Sequence, residues 1–364
     1  MKNTFGNNVS VTLFGESHGQ SIGAVVDGLP AGITVDEDFI ASQLTLRRPV
    51  GKISTSRAEK DAFSIVSGIF NGKTTGTPIC ILIPNEDTHS KDYSVNYGKA
   101  RPGHADFTAF SKYNGCEDYR GGGHFSGRVT AGLVAAGAVA IDLLKKKNIF
   151  IGTHVLNCAG VSDVEFKDIE KEIKDISTKA FSVIDDSAGE RMIEKIHSAA
   201  AEGDSVGGVL QTAVTGLPVG VGEPWFDSLE SVLSHGLFSI PAVKGVEFGI
   251  GFGCAELMGS EMNDEYYYDN GVVKTATNNN GGINGGISNG MPIVFNCAVK
   301  PTPSISKAQN TVDFLKGENT VLATQGRHDP CIVHRARVVV DSITALVICD
   351  LLSQKYGTDW LGEG

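Results

Sequence analysis

The chain has 364 residues, 41% hydrophobic and 20% charged, with 31 Lys and Arg against 42 Asp and Glu, a net charge of −11. The apolar content excludes a disordered chain and is ample for a large core, in roughly two domains or one large α/β domain. The acidic balance argues against broad binding to nucleic acid or an anionic membrane, so any anionic ligand must be drawn by a local cluster of Arg and Lys.

Residues 1–14 alternate apolar and polar (Val9, Val11, Leu13) and predict a strand. Gly15-Glu16-Ser17-His18-Gly19 predicts a turn, Ser21–Asp27 a second strand, Gly28–Gly32 a turn, and Asp36–Leu46 an amphipathic helix capped by Thr34 or Asp36. Arg47-Arg48-Pro49-Val50-Gly51-Lys52 is a basic loop, and residues 63–83 read as a hairpin split at Asn71-Gly72-Lys73. From Pro84 to Arg120 regular patterning is weak, and so long an unpatterned stretch in an ordered chain points to function.

Arg120-Gly-Gly-Gly-His-Phe-Ser-Gly-Arg128 then leads into an apolar segment, Val129–Lys147, that predicts a helix. Glycines running into a helix N-terminus can present backbone N–H groups and the helix dipole to an anion. A glycine turn capping a core helix is an equally good reading of this stretch alone. The most apolar part, Val129–Leu144, falls short of the roughly 20 residues of a membrane span and reads as a buried helix.

Residues 163–200 predict charged surface helices. Gly203–Gly207, a strand at Val209–Val214, the turn Gly216-Leu217-Pro218-Val219-Gly220 and a helix at Trp225–Leu237 then repeat the order of the first 46 residues. We read this as an internal two-fold repeat within one domain spanning 1–364, its copies starting near 9 and 203. Only the first copy has a histidine, His18, in its opening turn. Glu256–Gly290 is loop-like, Met291–Val299 predicts a strand, and a helix over about Val338–Leu352 closes the chain.

The seven cysteines are scattered without metal-ligand spacing, and no signal peptide precedes the first strand, which fits reduced thiols in the cytoplasm. There is no Gly-x-Ser-x-Gly, no dinucleotide-binding glycine fingerprint and no Walker lysine. The suspicious residues lie in four loops: His18, the Arg101/His104 segment, residues 120–128, and Arg327-His328-Asp329. Histidine exchanges protons near neutral pH and arginine grips phosphate and carboxylate with a planar fork, so together these loops favour an anion pocket.

Eight motifs occur in order along nearly the whole chain: Phe14–Gly19, Arg47-Arg48-Pro49, Arg101–Asp106, Asp118–Gly123, Gly203-Asp204-Ser205, Ala242–Glu247, Lys300-Pro301-Thr302 and Gly326–Pro330. In this they resemble the chorismate synthase family. The resemblance implies an α+β fold, a β-α-β sandwich with long active-site loops. It implies a lyase that uses reduced FMN for the 1,4-anti elimination of phosphate from 5-enolpyruvylshikimate 3-phosphate, giving chorismate with no net redox change. A homotetramer is also implied.

Carried over residue by residue, His18 serves the departing phosphate as acid, His104 protonates or polarises the flavin, and Asp329 assists proton removal. Ser17, Arg48, Arg101, Arg128 and Arg327 hold the substrate. The flavin positions are His124, Phe125, Ser126, Pro241, Ala242, Gly285, Lys300, Pro301, Thr302, Pro303, Ser304 and Arg327. Arg47 and Lys52 match positions for NADPH, an indirect reductant of the flavin. Three residues depart from the common pattern: His124 replaces an arginine, Pro241 an asparagine and Lys52 an arginine. A flavin-binding module without catalysis would keep the glycine loops but need neither His18 nor His104.

Overall fold

The computed structural model describes residues 2–49, 51–54, 60–86, 96–324 and 329–362, and the Lys52 side chain lies outside this set. Arg327 and His328 therefore fall outside the described residues.

Two five-stranded antiparallel sheets enclose a layer of helices. The first sheet is built from β1 (Thr4–Phe5), β2 (Ser10–Gly15), β3 (Ser21–Asp27), β4 (Ser64–Ser67) and β5 (Ile79–Pro84), in the order β1-β2-β3-β5-β4. The second contains β6 (Phe150–Cys158), β7 (Val161–Ser162), β8 (Gly208–Thr215), β9 (Val243–Phe248) and β10 (Ile293–Val299), in the order β7-β6-β8-β10-β9. Four strands correspond (β2, β3, β5 and β4 with β6, β8, β10 and β9), while the edge strand precedes its neighbour in the first sheet and follows it in the second. Each unit also places a helix after its middle strand, α1 (Glu37–Leu46) after β3 and α6 (Leu229–Ser239) after β8. Each has a longer helix after its last strand in sequence: α3 (Thr130–Lys146) after β5 and α7 (Val333–Tyr356) after β10. The shared part of the second sheet begins at Phe150, ahead of the sequence match at 203. Helices α4 (Ile169–Ser177) and α5 (Asp186–Ala201) are inserted between β7 and β8.

Helix α3 packs on β3 and β5, α7 packs on β6 and β8, and the two helices pack on each other between the sheets. At their crossing a Cβ on Gly137 would lie 2.2 Å from Ser342 Cβ, so glycine is what allows the approach. Helix α3 is buried at 13 of its 17 residues. The apolar stretch Gly127–Lys146 reaches 20 residues, long enough to span a membrane, which corrects the expectation that it falls short. Its burial, 83% of the most apolar window, makes it the core helix of the sandwich.

Local rules account for several elements. Asp36 Oδ1 accepts from Phe39 N at 2.9 Å and starts α1, whose Ile40 and Leu44 are buried one turn apart. Strand β10 alternates strictly, with Ile293, Phe295, Cys297 and Val299 buried. The expected hairpin at 63–83 forms as β4 paired with β5.

Four expectations need correction. The 84–120 stretch contains a helix, α2 (Asp106–Tyr113). Helix α6 starts at Leu229, because Ser228 accepts from Ser231 N and residues 225–227 form a separate 3-10 turn. Helix α7 begins five residues early, since His334 and Arg337 are buried by tertiary contacts that no periodicity announces. The 256–290 stretch carries a hairpin, Tyr266–Asp269 with Val272–Thr275.

Candidate active site

The chain segments between β5 and α3 and between β10 and α7 contribute to one cavity of about 1320 Å³. It is lined by Arg101, His104, Gly121, Gly122, His124–Thr130, Pro241, Ala242, Lys300, Thr302–Ser304 and Asp329, with Leu133, Ile240, Val339 and Ile343 supplying apolar wall.

The glycine loop is the hinge of the arrangement. Gly121, Gly122 and Gly123 all have positive φ (60°, 87° and 52°). A Cβ on Gly121 would sit 2.3 Å from His18 Cε1, and one on Gly122 would sit 3.0 Å from His104 Cε1. Two adjacent residues of one loop therefore pack against two histidines that are 86 positions apart in the chain. Gly121 lines the cavity and His18, buried, lies against it.

Hydrogen bonds set the histidine orientations. Ser17 Oγ donates to Arg120 O at 3.2 Å, which uses its only proton. It therefore accepts from His18 Nδ1–H, also at 3.2 Å. His124 Nδ1 donates to Gly15 O at 2.8 Å, tying the loop to the end of β2. His104 Nδ1 lies 3.0 Å from both Arg101 NH2 and Asp106 Oδ1.

Asp106 also receives Arg101 N, Nε and NH2 at 2.9, 2.8 and 2.6 Å. Burial works to raise the Asp106 carboxyl, but the bonds from Arg101 and His104 outweigh it and hold the group well below the usual carboxylate range. Arg120, by contrast, is spent on Asp118, with Nε and NH2 each at 2.7 Å.

The predicted anion holders divide. Arg101 reaches Ser304 Oγ at 3.4 Å and lines the cavity. Arg128 also lines it, with Nε on Asn85 Oδ1 and NH2 on Pro84 O at 3.0 Å each, and NH1 on Asp61. Arg47 NH2 grips the other Asp61 oxygen at 3.0 Å. Arg48 donates to Lys60 O and is not part of the cavity wall. Asp329 lines the cavity, its Oδ2 on Arg335 NH1 at 2.7 Å, while Arg335 Nε donates to Arg47 O.

The predicted flavin positions fit a ligand in most places. Thr302 Oγ1 is buried without a hydrogen-bond partner in the wall, and Lys300 Nζ donates to Gly103 O at 2.5 Å beside it. Ala242 is held at φ 76°, a costly conformation for a residue with a Cβ, next to Pro241. Phe125 is partly exposed. Pro301 packs by Gly207 and does not line the cavity. Gly285 is not brought in at all. It sits in the turn of a short hairpin whose Gly286 O accepts from Leu229 N at the start of α6, whereas Phe238–Ile240 at the other end of α6 line the cavity. That helix is about 16 Å long.

Two residues of the site escaped sequence reasoning. Asp106 was visible only as part of a motif, without a role. Asp61 had no signal beyond being an acid downstream of a basic loop.

A family model described as chorismate synthase matches residues 9–352. The chain belongs to the chorismate synthase family. Chorismate synthases of Dehalococcoides mccartyi (strain BAV1) and Archaeoglobus fulgidus are 47% and 46% identical to it, over 96% of this chain and 96% and 97% of theirs. A solved structure titled as the crystal structure of chorismate synthase superposes with a TM-score of 0.77 at 29% identity, covering 97% of this chain and 94% of that one. The family's reaction is a lyase reaction, the 1,4-anti elimination of phosphate from 5-enolpyruvylshikimate 3-phosphate, which gives the chorismate needed for aromatic amino acids. It depends on reduced flavin.

Proposed function

We propose that the cavity flanked by His18, His104 and the glycine loop performs this elimination, with reduced FMN and substrate bound together. What carries the reading is the packing of Gly121 on His18 and Gly122 on His104, which puts two proton-transfer groups on one loop at the cavity wall.

In this reading Arg101, fixed by Asp106, and Arg128, fixed at the end of β5, bind the anionic substrate, and Arg327 is assigned to it by the resemblance, whereas Arg48, outside the cavity wall, is left out. An acid with such guanidinium groups stabilises charge developing on a modest leaving group. His18, oriented by Ser17, delivers the proton from Nε2 to the departing phosphate. Keeping its Nδ1–H on Ser17 leaves the other ring nitrogen for that transfer. His104 holds a proton at the flavin, and Asp329, oriented by Arg335, assists removal of the C6 proton. Reduced FMN, when bound, supplies the transient electron density that makes phosphate departure possible without net redox change. Thr302, Lys300, Pro303, Ser304, Pro241, Ala242, His124, Phe125 and Ser126 hold it; the apolar wall at Leu133, Val339 and Ile343 suits a flat ring and keeps water out.

Arg47, with Lys52, is the assigned place for NADPH. Its guanidinium is already on Asp61, so we favour an outside reductant for the flavin. The exposed Trp225, Phe226, Phe252 and Tyr268, at 79–91% exposure, support burial in a homotetramer. Seven free cysteines suit the cytoplasm.

The test is anaerobic turnover of 5-enolpyruvylshikimate 3-phosphate, run once with dithionite-reduced FMN and once with NADPH as sole reductant. Chorismate with dithionite alone is expected. Bound flavin without product would leave only a flavin-binding module, and product with NADPH alone would reverse the assignment of reductant.

A further inference from the structure

We propose that Asp61 is a built-in competitor of the anion pocket, an internal carboxylate that occupies the grip of Arg47 and Arg128 until a more highly charged anion replaces it. The inference rests on the reading that Arg128 takes a substrate anion.

Asp61 lies in the cavity wall with its side chain 1% exposed, one oxygen on Arg47 NH2 and the other on Arg128 NH1. Both guanidinium groups are buried too, so three charges share a poorly hydrated place. Burial works to raise the Asp61 carboxyl, but the two arginines outweigh it and keep it ionised.

The Arg128 guanidinium and the Arg47 backbone are fixed independently of Asp61. Arg128 is braced by Asn85 Oδ1 and Pro84 O at the end of β5. Arg47 caps α1, and its carbonyl accepts from Arg335. Asp61 is on a segment without regular structure, at residues 60–63, with a left-handed φ of 50°. Of the three partners, the carboxylate is the one free of a rigid element.

Two cations and one anion leave the trio at a charge of +1. A monoanion that displaced Asp61 would merely exchange one carboxylate for another. A phosphate dianion would bring the second negative charge and neutralise both arginines, so it alone gains from the exchange. Asp61 thus sets a threshold of affinity that a phosphate ester clears and a singly charged carboxylate does not.

The experiment measures binding of inorganic phosphate above neutral pH, and of acetate, to the full-length native protein and to Asp61→Asn by calorimetry. Removing the competitor should tighten phosphate and acetate by the same factor, about tenfold, because both must displace the same carboxylate. Weaker phosphate binding by D61N would overturn the inference and make Asp61 a fixed strut. Should D61N not fold, a crystal structure of the native protein with phosphate decides. Phosphate oxygens on Arg47 and Arg128 with Asp61 swung away are expected. Phosphate on Arg128 with both Asp61 bridges intact would overturn the competition while leaving the anion pocket standing. Phosphate on neither arginine would remove the pocket reading as well.

Discussion

The two sheet-and-helix units share the order of four strands and differ in the side chains of their loops. In the first, Ser17, in the turn before β3, donates from Oγ to Arg120 O at 3.2 Å and from N to Gly123 O at 3.1 Å. In the second, Ser205, just before β8, donates from Oγ to Thr302 O at 2.7 Å, and Val206 N donates to Pro330 O at 2.8 Å. Both serines tether the loop that leads into a central helix, α3 in one unit and α7 in the other. After the tether the first unit has His18 and the second has Val206. Both units hold a loop over the end of a helix, and the histidine assigned to proton transfer is present in one unit only. The second unit contributes Lys300, Thr302–Ser304 and Asp329 to the cavity wall.

The comparison breaks most visibly at that histidine. His18→Ala should lower kcat by roughly 10³-fold while KM changes little, because a positioned general acid is worth about 10²–10⁴. The assay is chorismate formation with chemically reduced FMN. Val206→Ala should leave kcat within about twofold, since nothing about a second-unit valine enters proton transfer.

Buried carboxylates also differ among themselves. Asp61 and Asp106, in the first unit, are held charged by arginines. Asp341, on α7, is fully buried, and burial outweighs the bond from Thr153 and the charges of Arg337 and Lys145, raising it from 3.8 to about 6. A carboxyl with a raised folded-state value binds protons better folded than unfolded. Its contribution to stability therefore grows as pH falls from about 6 to about 4. Relative to Asp341→Asn, the native protein should gain up to about 3 kcal/mol across that window, read from urea denaturation at each pH. A flat difference would show that Asp341 does not titrate there.

Gly121→Ala sharpens the comparison from the loop side. The added methyl must push His18 off its place, and misplacement on the order of 1 Å costs about 10² in kcat. Unchanged kcat would mean the loop does not set His18.

The smallest effect is expected at the second tether. Ser205→Ala should cost about 1 kcal/mol of stability, the usual worth of one neutral hydrogen bond, with kcat nearly intact.

Much of the framework was legible because local rules decide it. Strand β3 matched its expected bounds, and Asp36 supplied the helix cap that its position announces. The strands after residue 150 were harder. Strand β6 has Thr153 and His154 fully buried, and their polarity hides a core strand until Asp341 and Asp163 are seen to satisfy them. The start of α7 was hidden in the same way by His334 and Arg337. In the site, histidines and glycines stood out by type. The grip of Asp61 on two arginines could not, because Asp61 is 14 residues from one partner and 67 from the other, and only the folded chain brings them together. Gly285 shows the converse, a motif position whose place in the fold is the far end of α6 from the cavity.

The most direct test is the structure of the protein with reduced FMN and 5-enolpyruvylshikimate 3-phosphate bound. The account predicts the flavin ring against Thr302 and the apolar wall, with the substrate phosphate within hydrogen-bond reach of His18 beside Gly121. Both ligands bound away from the glycine loop, with His18 and His104 contacting neither, would contradict it.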